Sequence, residues 1–257
     1  MSTMFALLLV LSTLVGCAGE TLKNAIPPPD PPAVTYTVEL ETFQDSFRDE
    51  DGAILAECVY EIPVLKAGES SGDAVCDAFN QEFASWRDNG AETARAARED
   101  RPFTSAAYSD ELRCSVYQTE RLVSVAGTYY TYTGGAHPNT LLLGWNFDLE
   151  SGAFFDAATL DDETGFHDAV VRSLKAQAAA RARENGLAPR KFFWEDYEDT
   201  LDNWSSYAVS FDEAGMSVMF SPYELAAYAA GPQVFRIPYE DLAPCLGSRG
   251  RALLGLE

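Results

Sequence analysis

The order of hydrophobic patterns along the chain predicts an α+β fold of two small lobes, with antiparallel sheets and helices packed on them. Three observations carry this expectation. Apolar and polar residues alternate with period two over residues 34–40 and 54–64, as on half-buried strands. The spacing turns helical over residues 72–98 and again after Asp161, each time followed by short strand patterns. With 47% hydrophobic and 12% aromatic residues, the 257-residue chain can bury a core large enough to offset its ordering entropy.

Taken in order, residues 5–11 are an apolar run too short to span a bilayer, leading into Leu14-Val15-Gly16-Cys17. Small residues just before a cysteine resemble a bacterial lipobox. Residues 1–16 therefore read as a lipoprotein signal peptide, with Cys17 as the lipidated residue. Residues 17–33 form a tether in which Pro27-Pro28-Pro29-Asp30-Pro31-Pro32 favours extended polyproline conformation, at roughly 3 Å per residue. The first lobe is expected over residues 34–156. Its opening strands Val34, Tyr36, Val38, Leu40 and Ile54 to Val64 are joined by an Asp51-Gly52 turn. The acidic cluster there is no calcium loop, because an EF-hand register puts Phe47 and Cys58 at ligand positions. A helix follows with the stripe Val75, Phe79, Phe83 and Trp86, and then strands over 112–117, 122–132 and 140–147.

The second lobe is expected over residues 157–245, with a tail at 246–257. Asp161 or Asp162 can cap a helix whose stripe is Phe166, Val170, Leu174 and Ala178 and which ends near Asn185-Gly186. After an aromatic and acidic connection, residues 207–211 and 216–220 pair about a turn at 212–215. Residues 222–228 read as a short helix and 233–237 as a last strand.

Charge narrows the function. Forty acidic residues against 18 Lys and Arg give a formal net charge of −22, which repels phosphate backbones and excludes a nucleic-acid partner. A cationic partner fits far better. Cys58, Cys76, Cys114 and Cys245 are even in number in an exported chain and predict two disulfides, with three pairings open; buried free thiols are the other reading. No CxxC occurs and only His137 and His167 are present, so no metal site and no cofactor are expected. No nucleophile elbow, Walker loop, HExxH or dinucleotide glycine pattern is found, so the chain is not read as an enzyme.

Two segments stand out as candidate binding residues. The first is Tyr129-Tyr130-Thr131-Tyr132-Thr133-Gly134-Gly135-Ala136-His137, in which the glycine pair permits close backbone approach beside a histidine. It is either a ligand-facing loop or a bulged hairpin corner whose histidine bonds to backbone. The second is Trp194-Glu195-Asp196-Tyr197-Glu198-Asp199, where aromatics could anchor a basic protein while carboxylates steer it; a solvated acidic loop is the plainer account.

Tyr132-Thr133-Gly134-Gly135-Ala136-His137 with Asn146-Phe147-Asp148-Leu149, Gly152 and Leu160 resembles the first half of the RsiV-like extracytoplasmic domain. Residues 220–232, Phe-Ser-Pro-Tyr-Glu-Leu-Ala-Ala-Tyr-Ala-Ala-Gly-Pro, with Ile237-Pro238-Tyr239, resemble its second half. The resemblance covers about residues 34–242. It implies a two-lobed α+β fold and a binding role without catalytic residues, as in a lysozyme-sensing anti-sigma factor and related secreted lipoproteins. The expected protein is thus an extracytoplasmic lipoprotein, held to the bacterial cell membrane by its N-terminal lipid. Lysozyme or another cationic wall-active protein is its expected partner. Binding or modification of peptidoglycan, and a purely structural role, are the alternatives.

Overall fold

A computed structural model describes residues 35–68, 73–100, 106–161 and 165–256. The expected signal peptide, Cys17, the proline tether and Asp162 lie outside the described residues. Among those described, no helix is long and apolar enough to cross a membrane.

The α+β class holds, in two sheets. Strands β1 (Tyr36–Arg48) and β2 (Ile54–Ala67) form the opening hairpin. Its turn is closed by Asp49, whose Oδ1 accepts from the amides of Asp51 (3.0 Å) and Ala53 (2.8 Å). Two helices, α1 (Ala74–Phe83) and α2 (Trp86–Asp100), then carry the chain across the sheet face. It returns in β3 (Tyr108–Gln118), β4 (Leu122–Tyr132), β5 (Asn139–Asp148) and β6 (Ala153–Phe154), giving the order β1-β2-β3-β4-β5-β6. The sheet is not wholly antiparallel: Ala56 to Tyr60 run parallel to Tyr108 to Leu112. The helical crossover makes that direction available.

The helix expected over 72–98 is two helices, separated at Ala84 and Ser85. Asp73 caps α1 by accepting from Val75 N and Cys76 N. The large apolar stripe continues only to Trp86. Beyond it, α2 docks through small residues, burying Ala94 and Ala97, and closer approach needs a new helix axis. Phe79 and Phe83 on α1 pack with Phe147 and Phe154 to form the first core.

The second core gathers around α3 (Phe166–Glu184) and the three-stranded sheet β7 (Ala208–Asp212), β8 (Gly215–Phe220) and β9 (Gln233–Pro238). Phe166, Val170, Leu174 and Ala178 are all buried, as their spacing predicts. The cap differs, since Gly165 rather than an aspartate occupies the N-cap position. The connection after α3 contains two short helices, α4 (Pro189–Phe192) and α5 (Tyr197–Leu201). The chain closes with α6 (Tyr239–Leu242) and α7 (Ser248–Leu254).

Residues Val34–Glu257 form one unit, and a buried polar seam joins its two cores. Phe211 N donates to Ser124 Oγ (2.7 Å), which donates to Asn146 Oδ1 (2.8 Å), while Asn146 Nδ2 donates to Val209 O (3.0 Å). Side chains of β4 and β5 thus satisfy the outer edge of β7, which would otherwise invite foreign strands. Gly144 makes room for this contact: a Cβ there would lie 2.1 Å from Val209 O.

The two-disulfide expectation is corrected. Cys58, Cys76 and Cys114 are free thiols in the first core, and Cys245 packs against the second. In the β2–β3 register Cys58 faces Asp110, so Cys114 lies four residues on, roughly 13 Å at the rise of a strand and beyond disulfide reach. Burial pushes the Cys58 thiol up to about 11 and Cys114 up to about 12, which keeps both protonated and unreactive at neutral pH.

Candidate functional site

Three segments distant in sequence converge on one exposed aromatic cluster. The first is the bend between β4 and β5, where Gly134 takes a positive φ of 80° and Tyr132 Oη donates to Gly135 O (3.1 Å). These contacts set His137, whose Nδ1 lies 2.9 Å from Pro138 O. A carbonyl only accepts, so Nδ1 carries the proton in this contact and Nε2 is left to accept. Tyr223 Oη donates to it at 3.3 Å.

The second segment contains Tyr223 and Tyr228. Ser221-Pro222-Tyr223-Glu224 has the features of a type II turn, with proline second and Glu224 N donating to Ser221 O at 3.1 Å. Tyr223 occupies the third position with φ 74°, the one non-glycine residue in the left-handed region among those described. A side chain there costs about 1–2 kcal/mol, and Tyr223 is nevertheless 54% exposed. This turn replaces the helix expected over 222–228, because a left-handed residue cannot continue a right-handed helix. Ser221 anchors the turn to β5 by accepting from Leu142 N (3.1 Å), and Glu224 Oε2 accepts from Ser221 N (2.5 Å).

The third segment supplies Trp194. Its indole Nε1 donates to Tyr223 O at 2.8 Å, and its backbone N donates to Leu225 O at 3.1 Å. The strained residue is therefore held at both ends, its carbonyl by Trp194 and its hydroxyl by His137. The His137 ring stacks on Tyr228 with centroids 3.9 Å apart and planes 22° apart, and Tyr223 lies 5.6 Å from Tyr228. Trp194 is 41% exposed. The result is a surface of rings with a carboxylate rim from the exposed Glu195, Asp196 and Asp199.

Not every residue singled out in the sequence lies on this surface. Tyr129 packs edge-on against Trp86 at 5.0 Å in the first core, and burial raises its hydroxyl pKa. Tyr130 and Tyr132 are half-buried on the opposite face of β4, as strand alternation requires. Tyr197 is buried and stacks on Phe193 at 5.3 Å, while its hydroxyl donates to Glu198 Oε1 (3.2 Å). Gly135 supplies only its carbonyl. Tyr223 and Tyr228 were not among the predicted binding residues. The signal that could have found Tyr223 is Ser-Pro-X-Glu, a turn motif that places a tyrosine where glycine is usual. Among the described residues, no group of three or more His, Cys, Asp or Glu side chains is gathered as a metal ion would require.

Known proteins resemble the chain in two blocks. Residues 50–140 match the family model described as deacetylase PdaC, and residues 160–240 match one described as a protein of unknown function, DUF3298. The blocks correspond to an uncharacterised type of domain and do not single out the RsiV-like group. His137 comes from the first block, and Trp194, Tyr223 and Tyr228 come from the second. A DUF3298-family member from Bacteroides fragilis, solved by crystallography, is 15% identical with a TM-score of 0.61, covering 87% of this chain and 98% of its own. A DUF3298-family protein from Pseudomonas aeruginosa is 16% identical with a TM-score of 0.51, covering 85% and 96%. These likenesses concern the fold. No curated protein matches the chain.

Proposed function

We propose that the protein is an extracytoplasmic lipoprotein, anchored through Cys17, whose folded part binds a cationic protein without catalysing a reaction. The observation that carries the reading is Tyr223, a strained and exposed tyrosine clamped by His137 and Trp194 at the meeting point of three segments. Backbone strain persists where surrounding contacts over-determine it, and it concentrates at ligand-binding surfaces. Exposed rings anchor a partner, and the acidic rim with the net charge of −22 steers a basic one. Lysozyme serves as the cationic probe.

Calorimetric titration of the protein with lysozyme at low and high salt tests this. The expected result is saturable one-to-one binding that weakens with salt, because attraction between exposed charges is screened beyond roughly 8–10 Å at physiological ionic strength. Tyr223→Gly is expected to weaken it at least tenfold. Salt-independent affinity would overturn the steering, and no binding at low salt would overturn the reading. Palmitate labelling that is equal in wild type and Cys17→Ala would remove the anchor.

A second reading, binding or modification of wall glycan, is favoured by the exposed rings, which could stack on sugar faces, and by the deacetylase name of the model matched over 50–140. A fluorescence change on titrating muropeptides without lysozyme would support it.

A further inference from the structure

A second concavity lies further along β5, where Gly144 and Asn146 meet the connections before α3 and β7. It consists of two adjoining hollows of about 210 and 80 Å³ that share Gly144, Asn146, Phe155 and Asp156. The wider one is lined by the Trp145 ring and by Glu82 of α1, whose Oε1 accepts from the Trp145 indole N–H at 3.2 Å. Trp204 and Tyr207 line the narrower one. Trp204 is braced by Phe166, stacked at 5.8 Å and 15°, and by His167 at 5.0 Å.

The charge of this lining is one-sided. Asp156 precedes a 3-10 turn but its carboxylate does not cap it. The Tyr207 hydroxyl is buried and has no hydrogen-bond partner among the described residues. The Asn146 side chain, which could have served a ligand as donor, is committed to Val209 O and Ser124. No Lys, Arg or His lines either hollow. Two carboxylates and two indole rings therefore line a space that holds no cationic side chain, its donors being the Trp204 indole N–H and the Tyr207 hydroxyl. A guanidinium, all donors and able to lie flat on an indole, is well served.

We propose that this cleft receives an arginine side chain of a protein partner. The inference shares a basic partner with the function proposed above but rests on separate residues, so either can fail alone. The test is titration of the full-length protein with N-acetyl-arginine amide, followed by tryptophan fluorescence, with N-acetyl-citrulline amide as the uncharged isostere. Saturable binding of the arginine compound on the order of millimolar is expected for one desolvated cation–π contact, with citrulline at least tenfold weaker. Asp156→Asn and Glu82→Gln keep the side-chain shapes, and Glu82→Gln keeps an acceptor for Trp145. Each is expected to weaken arginine binding about three- to tenfold with an unchanged thermal melt. Tyr223→Gly is expected to leave it unaltered, which separates this cleft from the His137 cluster. Equal binding of arginine and citrulline compounds, insensitivity to both carboxylate variants, or loss in Tyr223→Gly would each overturn the assignment. If lysozyme fails to bind while the arginine compound does, only the earlier reading falls.

Discussion

Two aromatic clusters in this molecule have nearly the same composition and opposite roles. Under α2, Tyr60 lies against Phe43 (6.0 Å, 8°) and Trp86 (6.5 Å), and Trp86 meets Tyr129. On the surface, Trp194, Tyr223, Tyr228 and His137 form the other group. The interior cluster serves its polar atoms poorly: among the described residues the buried Tyr60 hydroxyl and Asp110 Oδ1 make no well-formed hydrogen bond, although the Asp110 carboxylate lies beside that hydroxyl and, after burial, raises its pKa. Apolar burial compensates, with Tyr60 at 0% exposure and Asp110 also bonded by the Thr93 hydroxyl. The surface cluster does the reverse, satisfying its polar atoms while keeping a residue in a costly backbone state. In the first, packing is the purpose of the rings. In the second, packing does not explain why tyrosine rather than glycine stands at position 223.

The contrast predicts opposite responses to losing a ring. Tyr60→Ala removes a fully buried side chain and is expected to cost about 3–5 kcal/mol of stability, read by denaturant unfolding. Tyr60→Phe keeps the ring and removes only a buried hydroxyl beside Asp110, so it is expected to cost no more than about 1 kcal/mol. The Cys58 thiol belongs to the same interior, and its elevated pKa, about 11, reflects burial first. A thiol that stays protonated in the fold but ionises when unfolded contributes stability below the unfolded value, near 8.5, and that contribution is lost as pH rises toward 11. Alkaline unfolding of Cys58→Ala against wild type checks the sign, because the wild type should lose stability more steeply over that window. At the surface, Tyr223→Gly is expected to leave the melting temperature unchanged or raise it, since glycine relieves about 1–2 kcal/mol of left-handed strain, while lysozyme affinity falls. A clear loss of stability would place Tyr223 with the interior cluster and erase the comparison.

Periodicity made α3 and the strands legible, because burying one face imposes a spacing that any reader of Phe166, Val170, Leu174 and Ala178 can see. It could not reveal that β2 and β3 are parallel, since alternation is the same in both directions. Nor could it reveal that the stripe from Val75 to Trp86 ends one helix and begins another. His137 and Trp194 were legible as loop residues of unusual composition, but their meeting through Tyr223 is a tertiary fact. The tyrosines at 129, 130 and 132 read alike in sequence, and only the strand's alternation sends the first into the core and the others to the far face. The cysteines misled for a similar reason: an even count suggests bridges, but strand register decides distance.

The smallest effect sharpens the boundary of the interior cluster. Gly90 sits within α2 over Cys58, where a glycine costs helix stability without an evident return. A Cβ there would lie 3.6 Å from Cys58 Cβ, Cys58 Sγ and the Phe43 ring, which is ordinary contact rather than collision. Gly90→Ala should therefore fill the space under the helix, and its gain from propensity and unfolded-state entropy is about 0.5–1 kcal/mol. That corresponds to a rise in melting temperature of roughly 1–4 °C for a domain of this size. Such a rise would mean that α2 rests on the sheet at the separation described and that the space beneath it serves packing alone. A fall would mean that the helix approaches Cys58 more closely than 3.6 Å allows. Glycine would then be a packing requirement at position 90, as it is at Gly144 beside Val209.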